Sequence, residues 1–224
     1  KSIFFILIFG LYSCTKNAEN SPVSVYCNLI NEKLYSFSRL SDFEKRKFDE
    51  LMQSRFLKYK DDFLKAAKTF DIEWELLAAV AFQESQWNPK ARSATQVKGM
   101  MMLTLPTAAS VGVTNRLDPI QSIHGGAKYI ADLKSDANYG TSSGDKIAFI
   151  LAAYNLGITN IRNAIDSIDK KPIDVTWLDL EEHLLNLKTS MDTENYSRGQ
   201  QTVDFVERVR DYYYLLLAQN CSEN

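Results

Sequence analysis

An all-α domain is what this sequence predicts, and three observations lead there. From Ser41 onward apolar residues recur at three- to four-residue steps, the period of a helix with one buried face. No alternating apolar and polar run is longer than four residues, and no internal repeat occurs. The periodic stretches are separated by turn residues such as Asn88-Pro89, Gly112 and Gly157. A chain of 224 residues suits a single domain.

The elements follow in order. Ser41-Asp42-Phe43-Glu44 reads as a capping box. Phe48, Leu51, Met52, Phe56, Tyr59, Phe63, Ala67 and Phe70 then mark a buried helical face. Asp71 is placed to cap the next helix, with Glu73 and Glu75 in its first turn, where the helix dipole favours acids. That helix must stop near Asn88-Pro89. Residues 90–98 read as a loop, 105–111 as a short helix ended by Gly112, and 120–133 as a helix in which Gly125-Gly126 permits close backbone approach. A polar loop at 138–145 leads into an apolar helix at 146–156, closed by Gly157. Residues 166–174 look like a surface connection, and the last helix covers about 201–217.

Composition narrows the function. Net charge is −2, which gives nucleic acid or anionic lipid no reason to bind. The two histidines, His124 and His183, are far apart, and no Cys/His cluster has metal-ligand spacing. A Gly-rich phosphate loop and a nucleophile elbow are both missing, so neither metal nor cofactor is expected.

At the N-terminus, Lys1 precedes an apolar run over residues 3–11 that is too short for a comfortable membrane span. A basic flank and a short apolar stretch describe a secretion signal. Leu11-Tyr12-Ser13-Cys14 resembles the bacterial lipobox, which implies cleavage before Cys14 and a lipid on it. Residues 1–14 are thus expected to be a lipoprotein signal, 15–40 a tether, and 41–224 one helical domain with its core motifs in 72–157. That layout implies a bacterial envelope protein, anchored by lipid in the outer membrane and facing the periplasm. With Cys14 lipidated, Cys27 and Cys221 remain either as a disulfide pair in an oxidising compartment or as two free thiols.

The chemistry centres on Glu84. It lies seven residues after Leu77, four after Val80 and three after Ala81, so its carboxyl group falls on the buried stripe. Desolvation disfavours the ionised form, which lets the group hold a proton near neutral pH. Three segments carry the chemistry: Glu84-Ser85; Ser93 with Val97-Lys98-Gly99-Met100-Met101-Met102-Leu103-Thr104, followed by Pro106-Thr107-Ala108; and Ala152-Ala153-Tyr154-Asn155-Leu156-Gly157. In this order and spacing they resemble the catalytic domain of the soluble-type lytic transglycosylases, goose-lysozyme-like enzymes that cleave peptidoglycan. The Gly-Met-Met-Met-Leu-Thr form and the stretch from Asp118 to Tyr129 are similar to the membrane-bound lytic murein transglycosylase F subfamily.

The resemblance implies a lysozyme-like helical fold, peptidoglycan glycan strands as substrate, and Glu84 as the sole catalytic carboxyl. Such an acid first protonates the glycosidic oxygen between N-acetylmuramic acid and N-acetylglucosamine. It then takes the proton of the muramic acid C6 hydroxyl, which closes a 1,6-anhydro ring. Ser85, Ser93, Gly99, Met100, Met102, Tyr154 and Asn155 are the expected substrate-binding residues. For several of these a structural role competes: Ser85 and Ser93 as caps, Tyr154 as a core ring, the methionines as core filler. Trp87 can either stack on a sugar or close the core. A monomer is expected, with no partner beyond the glycan and the lipid anchor.

Two positions depart from the family pattern. Gln96 stands where many relatives have Gly, and Phe205 where the closing helix usually has Tyr. The rivals are a hydrolase, which needs a second acid such as Asp118 or Asp132 to activate water, and a silent peptidoglycan-binding lipoprotein.

Overall fold

Ser41 does what its sequence context demands. Its hydroxyl accepts from the Glu44 N–H, while its own N–H donates to the Glu44 carboxylate at 2.8 Å, opening a helix over Asp42–Ser54. The structure is a computed structural model that describes residues 22–136, 139–186 and 193–222. The signal region and Cys14 lie outside the described residues.

The helices are α1 (Pro22–Phe37), α2 (Asp42–Ser54), α3 (Lys60–Phe70), α4 (Trp74–Ser85), α5 (Leu105–Ser110), α6 (Pro119–Asp136), α7 (Ser143–Leu156), α8 (Ile158–Asp166), α9 (Trp177–Asn186) and α10 (Thr193–Ser222). Short 3₁₀ turns occur at Phe56–Lys58 and Pro172–Asp174. Among the described residues no strand forms, and only isolated bridges pin Lys98 to Arg92 and Leu103. The all-α class is as the periodicity required.

Helices α4 and α7 form the centre. Leu77 through Phe82 are all buried, as are Ala148 through Tyr154. A helix that is apolar all round needs neighbours on every side. For α4 they are α3, α6 and the long α10; α7 has α6, α8, α9 and α10. Helix α10, 30 residues and hence about 45 Å long, ties the layers together.

Two expectations need correction. The tether expected over 15–40 is not extended throughout, because Pro22–Phe37 is a helix lying against α10. Pro22 suits a first helical position, and Ile30 on its inner side is buried. Asp71 does not cap α4; it ends α3 in the left-handed conformation, and Glu73 is the residue before α4, without a side-chain cap bond. Helices α8 and α9 add to the sequence reading. α8 begins directly at Gly157, whose φ of 93° both ends α7 and turns the chain.

A disulfide joins Cys27 of α1 to Cys221 of α10, across 194 residues of sequence. Closing so long a loop limits the unfolded chain by about 5 kcal/mol in the chain-entropy account. Reduction, or Cys27→Ser with Cys221→Ser, should therefore lower the urea midpoint clearly, with an unfolding free energy smaller by up to that amount. An unchanged midpoint would show that the bridge fastens α1 without stabilising the rest.

Candidate active site

The end of α4 is set by two residues with positive φ, Gln86 at 53° and Trp87 at 56°. Trp87 turns back under the helix: its ring is fully buried and Nε1 donates to the Ala78 carbonyl at 2.9 Å. It closes the core and does not face a sugar. This reversal leaves Glu84 in the last turn, at the wall of a cleft of about 170 Å³. Tyr129 of α6, with Tyr154 and Asn155 of α7, lines one side. Val97, Met102, Leu103, Thr104 and Thr107 line the other.

Burial alone lifts the Glu84 carboxyl from 4.5 to about 8. Among the described residues no cation offsets it, so the group holds its proton at pH 7. Tyr154, pushed well above 10 by its own burial and then by the nearness of Glu84, stays protonated. Its hydroxyl donates to the Met101 carbonyl at 2.7 Å, and its ring lies 5.3 Å from that of Tyr129.

The opposing wall is a loop held by its backbone. Ser85 Oγ donates to the Met100 carbonyl (2.7 Å) and accepts from the Asn88 N–H (3.1 Å). Ser122 Oγ, fully buried, accepts from the Met101 N–H at 3.1 Å. Arg116 donates to the carbonyls of Gln96 (2.8 Å) and Leu103 (2.9 Å). Gly99 has φ of 88°, and a Cβ there would lie 1.8 Å from the Arg116 carbonyl oxygen. Only glycine fits.

The expected binding residues therefore divide. Tyr154, Asn155 and Met102 do face the cleft beside Glu84. Met100 does not: its side chain is fully buried, so it belongs to the core. Gly99 is a correction of a similar kind, since it is buried and its missing side chain makes room for the Arg116 backbone. Ser85 anchors the loop. Ser93 closes a turn, with Oγ 2.9 Å from Thr95 Oγ1 and accepting from the Val97 N–H. Neither serine lines the cleft. Asn155 Oδ1 accepts from the buried Thr202 hydroxyl at 3.0 Å. Sequence reasoning missed Tyr129, Thr104 and Thr107 as cleft residues; Tyr129 closes the Asp118–Tyr129 stretch but carries no local chemical signature.

Gln96 takes φ of 68°, the left-handed region that favours glycine. Phe205 is buried with its ring parallel to Tyr154, centroids 6.3 Å apart, and is not part of the cleft lining. Asp118 accepts from the Gln121 N–H at 2.9 Å at the start of α6, and Asp132 pairs with Lys128 on the surface. Among the described residues Glu84 is the only carboxyl group lining the cleft.

The profile of the family described as "Transglycosylase SLT domain" matches residues 61–176. The chain belongs to that family. Membrane-bound lytic murein transglycosylase F of Shewanella loihica is 39% identical over 84% of this chain, and that of Stutzerimonas stutzeri 41% over 75%. The chain spans only about 40% and 36% of those two relatives. Among solved structures, an inactive mutant of lytic transglycosylase Slt from Pseudomonas aeruginosa superposes with a TM-score of 0.54 at 16% identity, covering 87% of this chain and 35% of its own. The 70 kDa soluble lytic transglycosylase of Escherichia coli gives 0.51 at 20%, covering 87% and 29%. Both establish the fold, which is the lysozyme-like helical one.

Two outcomes follow for this SLT domain. Glu84 holds its proton to about pH 8 when folded, against 4.5 as its ordinary value, so the folded state binds more protons in between. Its contribution to stability is complete below pH 4.5 and is lost as pH rises through about 8. Glu84→Gln should remove that slope and be the more stable protein at pH 9, by on the order of 2–4 kcal/mol. Chemical denaturation at several pH values measures it; parallel curves for both proteins would contradict the burial argument. Gly99→Ala should disrupt the loop at a cost of roughly 2 kcal/mol or more, read by the same chemical denaturation.

Proposed function

We propose that this SLT domain is a peptidoglycan lytic transglycosylase that cuts the β-1,4 bond between N-acetylmuramic acid and N-acetylglucosamine without consuming water. The observation that carries the reading is the lone, desolvated Glu84 in a tyrosine-walled cleft. A hydrolase ordinarily places two carboxyl groups about the scissile bond. Here one protonated acid must serve both halves of the cycle.

Glu84 gives its proton to the glycosidic oxygen as the bond to C1 breaks. The substrate's N-acetyl oxygen stabilises the positive charge at C1, a substrate-assisted route. The Glu84 carboxylate, now costly in its dry surroundings, takes the proton of the C6 hydroxyl. The C6 oxygen closes on C1, giving the 1,6-anhydro end and restoring the neutral acid. Attack by a group on the same sugar has the entropic advantage of an intramolecular reaction. Met102, Tyr154 and Asn155 contact the glycan in this reading, and Tyr129 and Thr107 extend that surface.

In the cell, the protein is proposed to act as a monomer in the bacterial envelope, held by lipid on Cys14 after removal of residues 1–13, at the outer membrane facing the periplasm. The names of its relatives support a membrane-associated murein enzyme.

Sacculi digested with the purified protein should yield fragments ending in 1,6-anhydro-N-acetylmuramic acid, one water lighter than hydrolysis products and resistant to borohydride. Turnover should fall as pH rises through about 8, where the acid loses its proton. Glu84→Gln, the size of the protonated acid but unable to transfer a proton, should abolish lysis with the fold intact. Reducible, hydrated ends would overturn the transglycosylase reading, and lysis by a folded Glu84→Gln protein would move the acid elsewhere.

A further inference from the structure

A second cavity opens beside the catalytic cleft, and hydrogen-bond donors dominate its polar lining. It holds about 270 Å³ between α8, α9 and the early part of α10, with Leu156, Asn160, Asn163, Ser167, His183 and Arg198 in its walls. Among the described residues no Asp or Glu lines it. The Arg198 guanidinium and the Asn163 amide have no partner among the described residues. Asn160 Nδ2 donates to the Leu156 carbonyl at 2.7 Å, which uses one of its two N–H groups. The Ser167 hydroxyl gives its proton to the Ala164 carbonyl at 2.7 Å, so in its 3.1 Å contact with His183 the imidazole Nε2 is the donor. One unpaired guanidinium beside two amides, with no carboxylate, is the chemistry that receives an anion.

Backbone packing fixes this groove at the edge of the cleft. Leu156 directly follows Asn155, which lines the catalytic cleft. Arg198 lies one helical turn before Thr202, whose hydroxyl holds Asn155. Between them Gly199 lets α10 press onto α9: a Cβ there would lie 2.4 Å from the Leu184 carbonyl oxygen. That close approach brings Arg198 to the same groove as His183, the residue before Leu184.

We infer that this groove binds a carboxylate of the substrate, with Arg198 as its charged contact. This rests on the peptidoglycan reading. The sugar rings of that glycan are uncharged, and its anions hang from the lactyl ether of N-acetylmuramic acid, the sugar on which Glu84 acts. On a strand stripped of peptide the lactyl group itself ends in a carboxylate. On a peptide-bearing strand that group is an amide, and the carboxylates belong to the stem peptide. Arg198 thus favours muramic acid over N-acetylglucosamine beside Asn155, because only the former carries an anion. A guanidinium–carboxylate contact in a partly exposed groove is worth about tenfold in affinity. Being remote from the breaking bond, it acts on KM and leaves kcat nearly alone.

The test measures turnover on soluble glycan strands in three forms: peptide-bearing, stripped by an amidase so that the lactyl carboxylate is free, and peptide-bearing with every carboxyl amidated. Arg198→Gln should raise KM about tenfold on strands that carry a carboxylate, with kcat within about twofold and an unchanged melting temperature. Arg162→Gln, which removes a charge paired with Asp136 outside the groove, should change neither constant. On amidated strands the wild type and Arg198→Gln should coincide. A gap on stripped strands assigns the contact to the lactyl carboxylate, and a gap on peptide-bearing strands assigns it to the stem peptide. Equal KM values on both carboxylate-bearing forms, or a gap that survives amidation, overturn the inference and leave the transglycosylase reading intact. Binding without turnover separates the two readings. In Glu84→Gln protein both carboxylate-bearing strands, or one of them, should shift the His183 ring signals in NMR spectra, and amidated strands should not. If the products carry no anhydro ends but His183 responds in this way, the groove stands and the reaction reading falls. If His183 responds to neither carboxylate-bearing form, the groove falls.

Discussion

The whole arrangement depends on keeping one carboxyl group out of water. Glu84 sits half-buried in the last turn of the central helix, at the cleft wall, where burial disfavours its charge and no counter-ion among the described residues offsets that cost. Such a group stays protonated at pH 7. The stability cost of an unpaired acid at a helix end has a chemical return, since a dry acid is both a ready donor and, once ionised, a strong base. The enclosing helices α3, α6, α7 and α10 make the dryness possible, and this is why the central pair α4 and α7 is apolar all round.

The second requirement is a wall that does not move. The loop over residues 91–103 carries no regular structure, yet Ser85, Ser122, Tyr154 and Arg116 each bond to its backbone. Tyr154 serves both purposes: its ring borders the cleft and its hydroxyl ties down Met101. Core role and cleft role are therefore not alternatives at this position. Thr202 does similar work for Asn155, holding the amide oxygen so that the amide stays at the cleft rim.

Much of this was legible in the sequence, for identifiable reasons. The helical period exposed the class and most elements, and the capping box at Ser41 marked a true start. Glu84 stood out because an acid on an apolar stripe is rare. What escaped were features decided by three-dimensional packing. Met100 and Met102 look alike in sequence, but the left-handed Met102 at φ 45° turns to the cleft while Met100 goes into the core. Gly99 carries a steric demand set by Arg116, a residue 17 positions away, so its purpose was invisible locally. Pro22–Phe37 was missed because Ser24, Asn28 and Asn31 interrupt its short apolar run, which blurs the period.

The central claim is that burial keeps Glu84 protonated through neutral pH. A ¹³C NMR titration of selectively labelled glutamate carboxyls, with Glu84→Gln to assign the resonance, reads that proton directly. The account predicts a Glu84 midpoint near pH 8, well separated from the surface glutamates. A midpoint close to 4.5 would mean that water reaches the carboxylate, and the single-acid mechanism would lose its physical basis.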